Sequence, residues 1–155
     1  MLEHGQVSGV YRKRYLVPGE MIFSAGDEYP VFEVKGLRYG ISFCHDTRFA
    51  DAPARIAWQR ARVLPVPAQN MMKRQVAETW RPRHNQIRAQ RVRETGMWLV
   101  SADVTGERWD THVGYGPTSV MNPCGEVVAQ VPLMETGVVI VQIRAPRDSR
   151  PPTKL

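Results

Sequence analysis

Cysteine is scarce in this 155-residue chain: Cys44 and Cys124 are the only two. Two thiols cannot build a disulfide framework, and their scarcity fits a reducing compartment. No apolar run is long enough to cross a bilayer, and Met1-Leu2-Glu3-His4-Gly5 lacks the charged-then-apolar order of a secretory leader. The expected location is therefore the cytoplasm, with no membrane partner. Cys44, His45, Asp46, His84, His112 and Cys124 match no zinc spacing such as C-x-x-C with H-x-x-x-H, so no metal and no cofactor is expected. The net charge is +6, and much of the excess lies in residues 81–93 and 144–154. No aromatic residue interleaves with the arginines of residues 83–93. That stretch reads as a solvated basic helix face, not a nucleic-acid groove.

What remains is ordinary in composition, 43% hydrophobic, and long enough for one domain with a real core. Apolar runs alternate with two helical stretches, which points to an α/β or α+β layer. Residues 7–16 read as a strand after a His4-Gly5-Gln6 turn, and 17–29 as a Pro/Gly-rich loop. Residues 30–34 and 38–43 read as strands joined by Lys35-Gly36-Leu37. Residues 50–62 read as a helix that Asp51 can cap, with Pro53 suited to its first turn. Residues 63–67 form a strand whose prolines suggest an edge or a strand end. Residues 79–95 read as one arginine-rich helix closed by Gly96. A strand over 97–104 leads to a loop over 103–115, then to a hairpin of 118–121 with 126–131. Residues 137–143 read as a last apolar strand. The domain spans 1–143, and 144–155 form a Pro/Arg-rich tail.

One stretch carries chemistry. The apolar run Gly40-Ile41-Ser42-Phe43 reads as a buried strand that stops at Cys44, followed by His45-Asp46-Thr47-Arg48-Phe49. A cysteine on rigid backbone at a sheet rim is well placed for a nucleophile. A lone cysteine on an apolar strand is more often a small core residue. Upstream stands Tyr11-Arg12-Lys13-Arg14-Tyr15-Leu16, and between the two lie Gly26-Asp27 and Val31-Phe32-Glu33-Val34. In this order the segments resemble the carbon–nitrogen hydrolase (nitrilase) superfamily, with its Y-x-K-x-x-L lysine segment and C-x-D-x-R-F cysteine segment. Arg91-Val92-Arg93-Glu94 and residues 116–125 resemble the family's downstream helix and hairpin.

The resemblance implies a four-layer α-β-β-α sandwich, of which this chain would supply the C-terminal portion. It implies cleavage of a non-peptide carbon–nitrogen bond in a small amide, carbamoyl or nitrile substrate, through a thioester on Cys44. Asp46 leans toward an amidase or carbamoylase. Lys13 and the backbone N–H of His45 would stabilise the oxyanion. The family's glutamate general base has no match before Lys13, where Glu3 is the sole carboxylate. The chain is thus expected to begin inside a structural unit and to work slowly or not at all, since general acid–base terms are worth about 10²–10⁴-fold. Glu20 either orients Lys13 or the substrate, or sits as a loop carboxylate in solvent. Asp46 and Arg48 are expected to pair and hold the turn after Cys44, and Asn70 can line the pocket. A homo-oligomer is expected. The competing reading is a catalytically dead binding or assembly module that meets a partner or a copy of itself through an open sheet face or the helix over 83–93.

Overall fold

The computed structural model describes residues 1–3 and 5–143. The tail 144–155 and the turn residue His4 lie outside the described residues. Strands β1 (Leu2–Glu3) and β2 (Gln6–Val7) pair briefly and precede a long irregular stretch. The hairpin β3 (Val31–Val34) and β4 (Leu37–Gly40) follows, then a 3-10 turn, Cys44–Arg48, and helix α1 (Asp51–Trp58). Next come β5 (Val63–Pro67), β6 (Met72–Lys73), α2 (Arg74–Trp80), α3 (Arg83–Thr95) and β7 (Trp98–Ala102). Two hairpins close the described chain: β8 (Thr105–Arg108) with β9 (His112–Tyr115), and β10 (Ser119–Met121) with β11 (Val127–Gln130).

Six strands form one mixed sheet in the order β11-β10-β7-β5-β4-β3, and β6-β9-β8 form a small antiparallel one. The middle strands β4, β5 and β7 run parallel, and the outer pairs run antiparallel. Side chains alternate along a strand. Leu64 and Val66 therefore share a face, and the register brings Leu99 and Met121 beside Leu64. Ile56 of α1 and Ala89 and Val92 of α3 join them in one core cluster. Each large side chain buried this way contributes roughly 1.5–3 kcal/mol. Gly40 lets α1 approach β4: a Cβ there would lie 2.5 Å from Ile56 Cγ2.

Several expectations need correction. The strand over 7–16 stops at Val7; beyond it Ser8 and Gly9 bond to Met1, Lys13 O accepts from Gly26 N, and Tyr15 N donates to the Asp46 carboxylate, so no further ladder forms. The strand before Cys44 ends at Gly40, and the cysteine stands on the 3-10 turn. Asp51 does not cap α1; it lies in the first turn and accepts hydrogen bonds from the hydroxyls of Tyr15 and Tyr29. The helix expected over 79–95 is two helices, since Pro82 has no N–H to continue α2 and instead precedes α3. β5 is central rather than at an edge. Pro65 O accepts from Ser42 N, so the donor that Pro65 lacks would face the chain where β4 has already ended. The loop over 103–115 is the β8–β9 hairpin, turned at Trp109 and Asp110, both with φ of 52°. Residues 137–143 form no strand; Val138 and Ile140 are 85% and 92% exposed. The arginine stretch is not a solvated face throughout, because Arg88 and Arg91 of α3 are 2% and 5% exposed.

Candidate active site

Three parallel strands deliver polar groups to one rim of the sheet. Cys44 follows β4, Asn70 follows β5 and Asp103 directly follows β7. The carboxyl ends of parallel strands are where α/β sheets bind ligands, because the loops diverge there and leave a crevice. A cavity of about 580 Å³ opens at this rim, within the range of small-molecule sites. Lys13, Glu20, Cys44, His45, Arg48 and Asn70 all line it. Asp46 lies behind its wall, fully buried.

Cys44 is held in an unusual backbone conformation. Its φ is +47°, the left-handed region that costs a residue with a Cβ about 1–2 kcal/mol. The turn is locked from both sides: Thr47 Oγ1 donates to Cys44 O at 2.8 Å, and Phe43 N donates to Asp46 Oδ2 at 2.9 Å. The sulfur donates to Asn70 Oδ1 at 3.4 Å. Burial pushes the thiol above its ordinary pKa; a backbone hydrogen bond from Gln69 pulls it back most, Asp103 adds to the rise, and Lys13 and Arg88 oppose it.

Lys13 Nζ donates to both oxygens of Glu20, at 2.8 and 2.6 Å, and Glu20 also accepts from Val17 N at 2.9 Å. Glu20 is thus the partner that orients Lys13, not a carboxylate free in solvent. Asp46 does not pair with Arg48. Its carboxylate accepts from the Tyr11 hydroxyl at 2.6 Å and from Tyr15 N at 2.7 Å. One carboxylate therefore grips the residues on either side of Lys13 and, through Phe43, the residue before Cys44. Arg48, exposed, lies over the Trp80 ring at 4.7 Å instead. His45 packs edge-on against Phe49, and burial together with Arg48 lowers its pKa.

Sequence reasoning missed Tyr11 as the partner of Asp46, and missed Arg88 and Asp103 altogether. Asp103 accepts from Asn70 and forms a buried ion pair with Arg88 at 3.1 Å. No local signal marks these partners: Asn70 follows β5 and Asp103 follows β7, and they meet only because those two strands pair. Trp80 and His84 also line the cavity. Among the described residues, no group of three His, Cys, Asp or Glu side chains is placed to hold a metal ion. A thiol, an ammonium and a carboxylate around one crevice can together attack an electrophilic carbon, stabilise an oxyanion and exchange a proton.

The Lys13 hydrogen bond lowers the pKa of Glu20 from its ordinary 4.5, outweighing partial burial. Its folded pKa lies below its unfolded one. The stability it contributes is present above about pH 4.5 and is lost as pH falls through the folded value. The difference in thermal midpoint between the unaltered chain and Glu20→Gln should therefore be flat from neutrality down to about pH 5 and shrink below it, as followed by circular dichroism. It lies on top of a fall that both share from about pH 6.5, because His45 and His84 are also held below their ordinary pKa.

Residues 2–147 match the family model described as carbon-nitrogen hydrolase. The chain is 27% identical over 137 residues to "Omega-amidase NIT2" of Homo sapiens, covering 81% of this chain and 48% of that protein. It is 29% identical over 122 residues to a glutamine-dependent NAD(+) synthetase of Rhodobacter capsulatus, covering 79% of this chain and 21% of that one. An amidase from Nesterenkonia superposes with a TM-score of 0.73 at 26% identity, over 86% of this chain and 49% of that one. The Nit3 protein of Saccharomyces cerevisiae superposes with the same TM-score at 19% identity, over 85% and 47%, which speaks for the fold alone. These neighbours give the chain a nitrilase-like α/β fold. It spans about half the length of the omega-amidases it matches.

Proposed function

Because the chain belongs to the carbon–nitrogen hydrolase family, we propose that it cleaves the carbon–nitrogen bond of a small amide, with carbamoyl compounds and nitriles as further candidates. Cys44 Sγ attacks the carbonyl carbon, ammonia leaves, and water hydrolyses the thioester. The Lys13 ammonium and the His45 N–H stabilise the oxyanion of each tetrahedral intermediate, and Glu20 keeps the ammonium in place. Asp46 holds the lysine segment and the cysteine turn together, Arg48 packs the cavity wall, and Asn70 faces the sulfur. The observation that carries this reading is the convergence of Cys44, Lys13 and Glu20 on one cavity.

Proton transfer is the weak step. Among the described residues the cavity is lined by one carboxylate, Glu20, and two imidazoles, His45 and His84, and all three are held below their ordinary pKa, which makes each a weaker base than usual. Attack through a raised thiol is then slow, and hydrolysis of the thioester is slower. Ammonia release from a panel of primary amides, carbamoyl compounds and nitriles tests the reading. Release that disappears in Cys44→Ala is expected; release that survives the substitution would refute it.

A second reading is a catalytically silent assembly module, working in the cytoplasm as a homo-oligomer. Val127 and Val128 on the outermost strand β11 are 44% and 45% exposed, in addition to Val138 and Ile140. Silence across the panel with a dimer or larger species by light scattering would favour it.

A further inference from the structure

An unbroken chain of contacts runs from the cavity wall into the core. Cys44 Sγ donates to Asn70 Oδ1 at 3.4 Å. Asn70 donates its backbone N–H to Asp103 Oδ1 at 3.0 Å and its side-chain Nδ2 to Asp103 Oδ2. Arg88 Nη2 meets that same Oδ2 at 3.1 Å, with the two side chains 3% and 0% exposed. Arg88 Nη1 donates in turn to Pro117 O at 2.7 Å and to Ser101 Oγ at 3.2 Å. The polarity of this chain is fixed. A carboxylate only accepts, so the amide nitrogen of Asn70 must face Asp103 and its oxygen must face the sulfur.

The geometry points to Arg88 and Asp103 as a positioning pair for Cys44: acting through the carboxamide of Asn70, they hold the resting sulfur as an S–H donor in one orientation. This rests on Cys44 being the attacking group. A buried ion pair contributes little over apolar residues of the same volume, yet losing one partner leaves an uncompensated charge. Its value here lies in fixing one amide orientation at the cavity wall. Among the described residues Asp103 is the acceptor of the Asn70 side-chain nitrogen, so without it the carboxamide loses the contact that sets its orientation. The charged groups around the sulfur are Lys13 from the irregular stretch, Asp103 after β7 and Arg88 of α3. Glu20, His45 and His84 line the same cavity.

The rate of Cys44 alkylation by iodoacetamide against pH, read by peptide mass spectrometry with the exposed Cys124 as internal reference, tests the assignment. Asn70→Ala removes the acceptor of the S–H and leaves the ion pair in place. The neutral thiol loses its hydrogen bond, so the Cys44 midpoint should fall by about one pH unit. Asp103→Asn should lower it as well, and the double variant should fall by less than the sum, because both changes act on one hydrogen bond. The Cys124 midpoint should stay fixed throughout. An unmoved or raised Cys44 midpoint in Asn70→Ala, a substitution at the half-exposed rim that spares the core, would overturn the assignment, as would full additivity. Ammonia release by the unaltered chain is read in parallel. Midpoints that move as stated without any release remove the hydrolytic reading and keep the positioning pair; release with unmoved midpoints does the reverse.

Discussion

Asp46→Ala is expected to lower the unfolding free energy by about 3–5 kcal/mol, read from the urea midpoint. Three donors lose their acceptor at once: the Tyr11 hydroxyl, Tyr15 N and Phe43 N. Each buried group left unsatisfied costs about 1–3 kcal/mol, and water entering the site offsets part of the total. The site suffers along with the fold, because the same carboxylate ties the flanks of Lys13 to the turn of Cys44. Asp46→Asn keeps one acceptor oxygen and should cost less. A loss below about 1 kcal/mol in the alanine variant would mean that Asp46 clamps nothing.

Lys13→Met should slow amide turnover by about 10²–10³-fold, the usual effect of removing one oxyanion donor. The loss should fall on kcat, since the ammonium acts most strongly when charge develops on oxygen. It should also raise the pH at which Cys44 reacts, because Lys13 is one of the two cations that pull the thiol down. Stability should fall by no more than about 1 kcal/mol, the Glu20 contribution being lost with its partner, since Glu20 is 32% exposed and keeps its bond from Val17 N. A rise in KM at constant kcat would assign Lys13 to substrate binding instead.

The candidate site was legible where its chemistry sits in short contiguous segments. Lys13 with Glu20, and Cys44 with His45, could be read because these residues, which line one cavity, are close in sequence or in a fixed order. Family membership and the nitrilase-like fold followed from the same segments and agree with the match over residues 2–147. The strands β5 and β7 were readable as apolar runs, although the central place of β5 was not.

Legibility failed where the partner lies far along the chain. Asp46 was assigned to Arg48, two residues away, and instead serves Tyr11, 35 residues upstream. Arg88 looked like one more surface charge on a basic helix, but its partner Asp103 stands 15 residues on, across the helix–sheet interface. Local rules also misled. Proline in β5 argued for an edge, yet a short β4 leaves a side on which no donor is needed. The turn at Trp109 and Asp110 takes two residues in the left-handed region, where tryptophan is rare, so the β8–β9 hairpin carried no turn signature.

Peptide mass spectrometry after incubation with a primary aliphatic amide tests most directly whether Cys44 attacks carbon. With so weak a base at the cavity the thioester should outlast its formation, so an acyl adduct is predicted on the peptide that carries Cys44 and not on the one that carries Cys124. An unmodified Cys44, or equal modification of both thiols, would contradict the account.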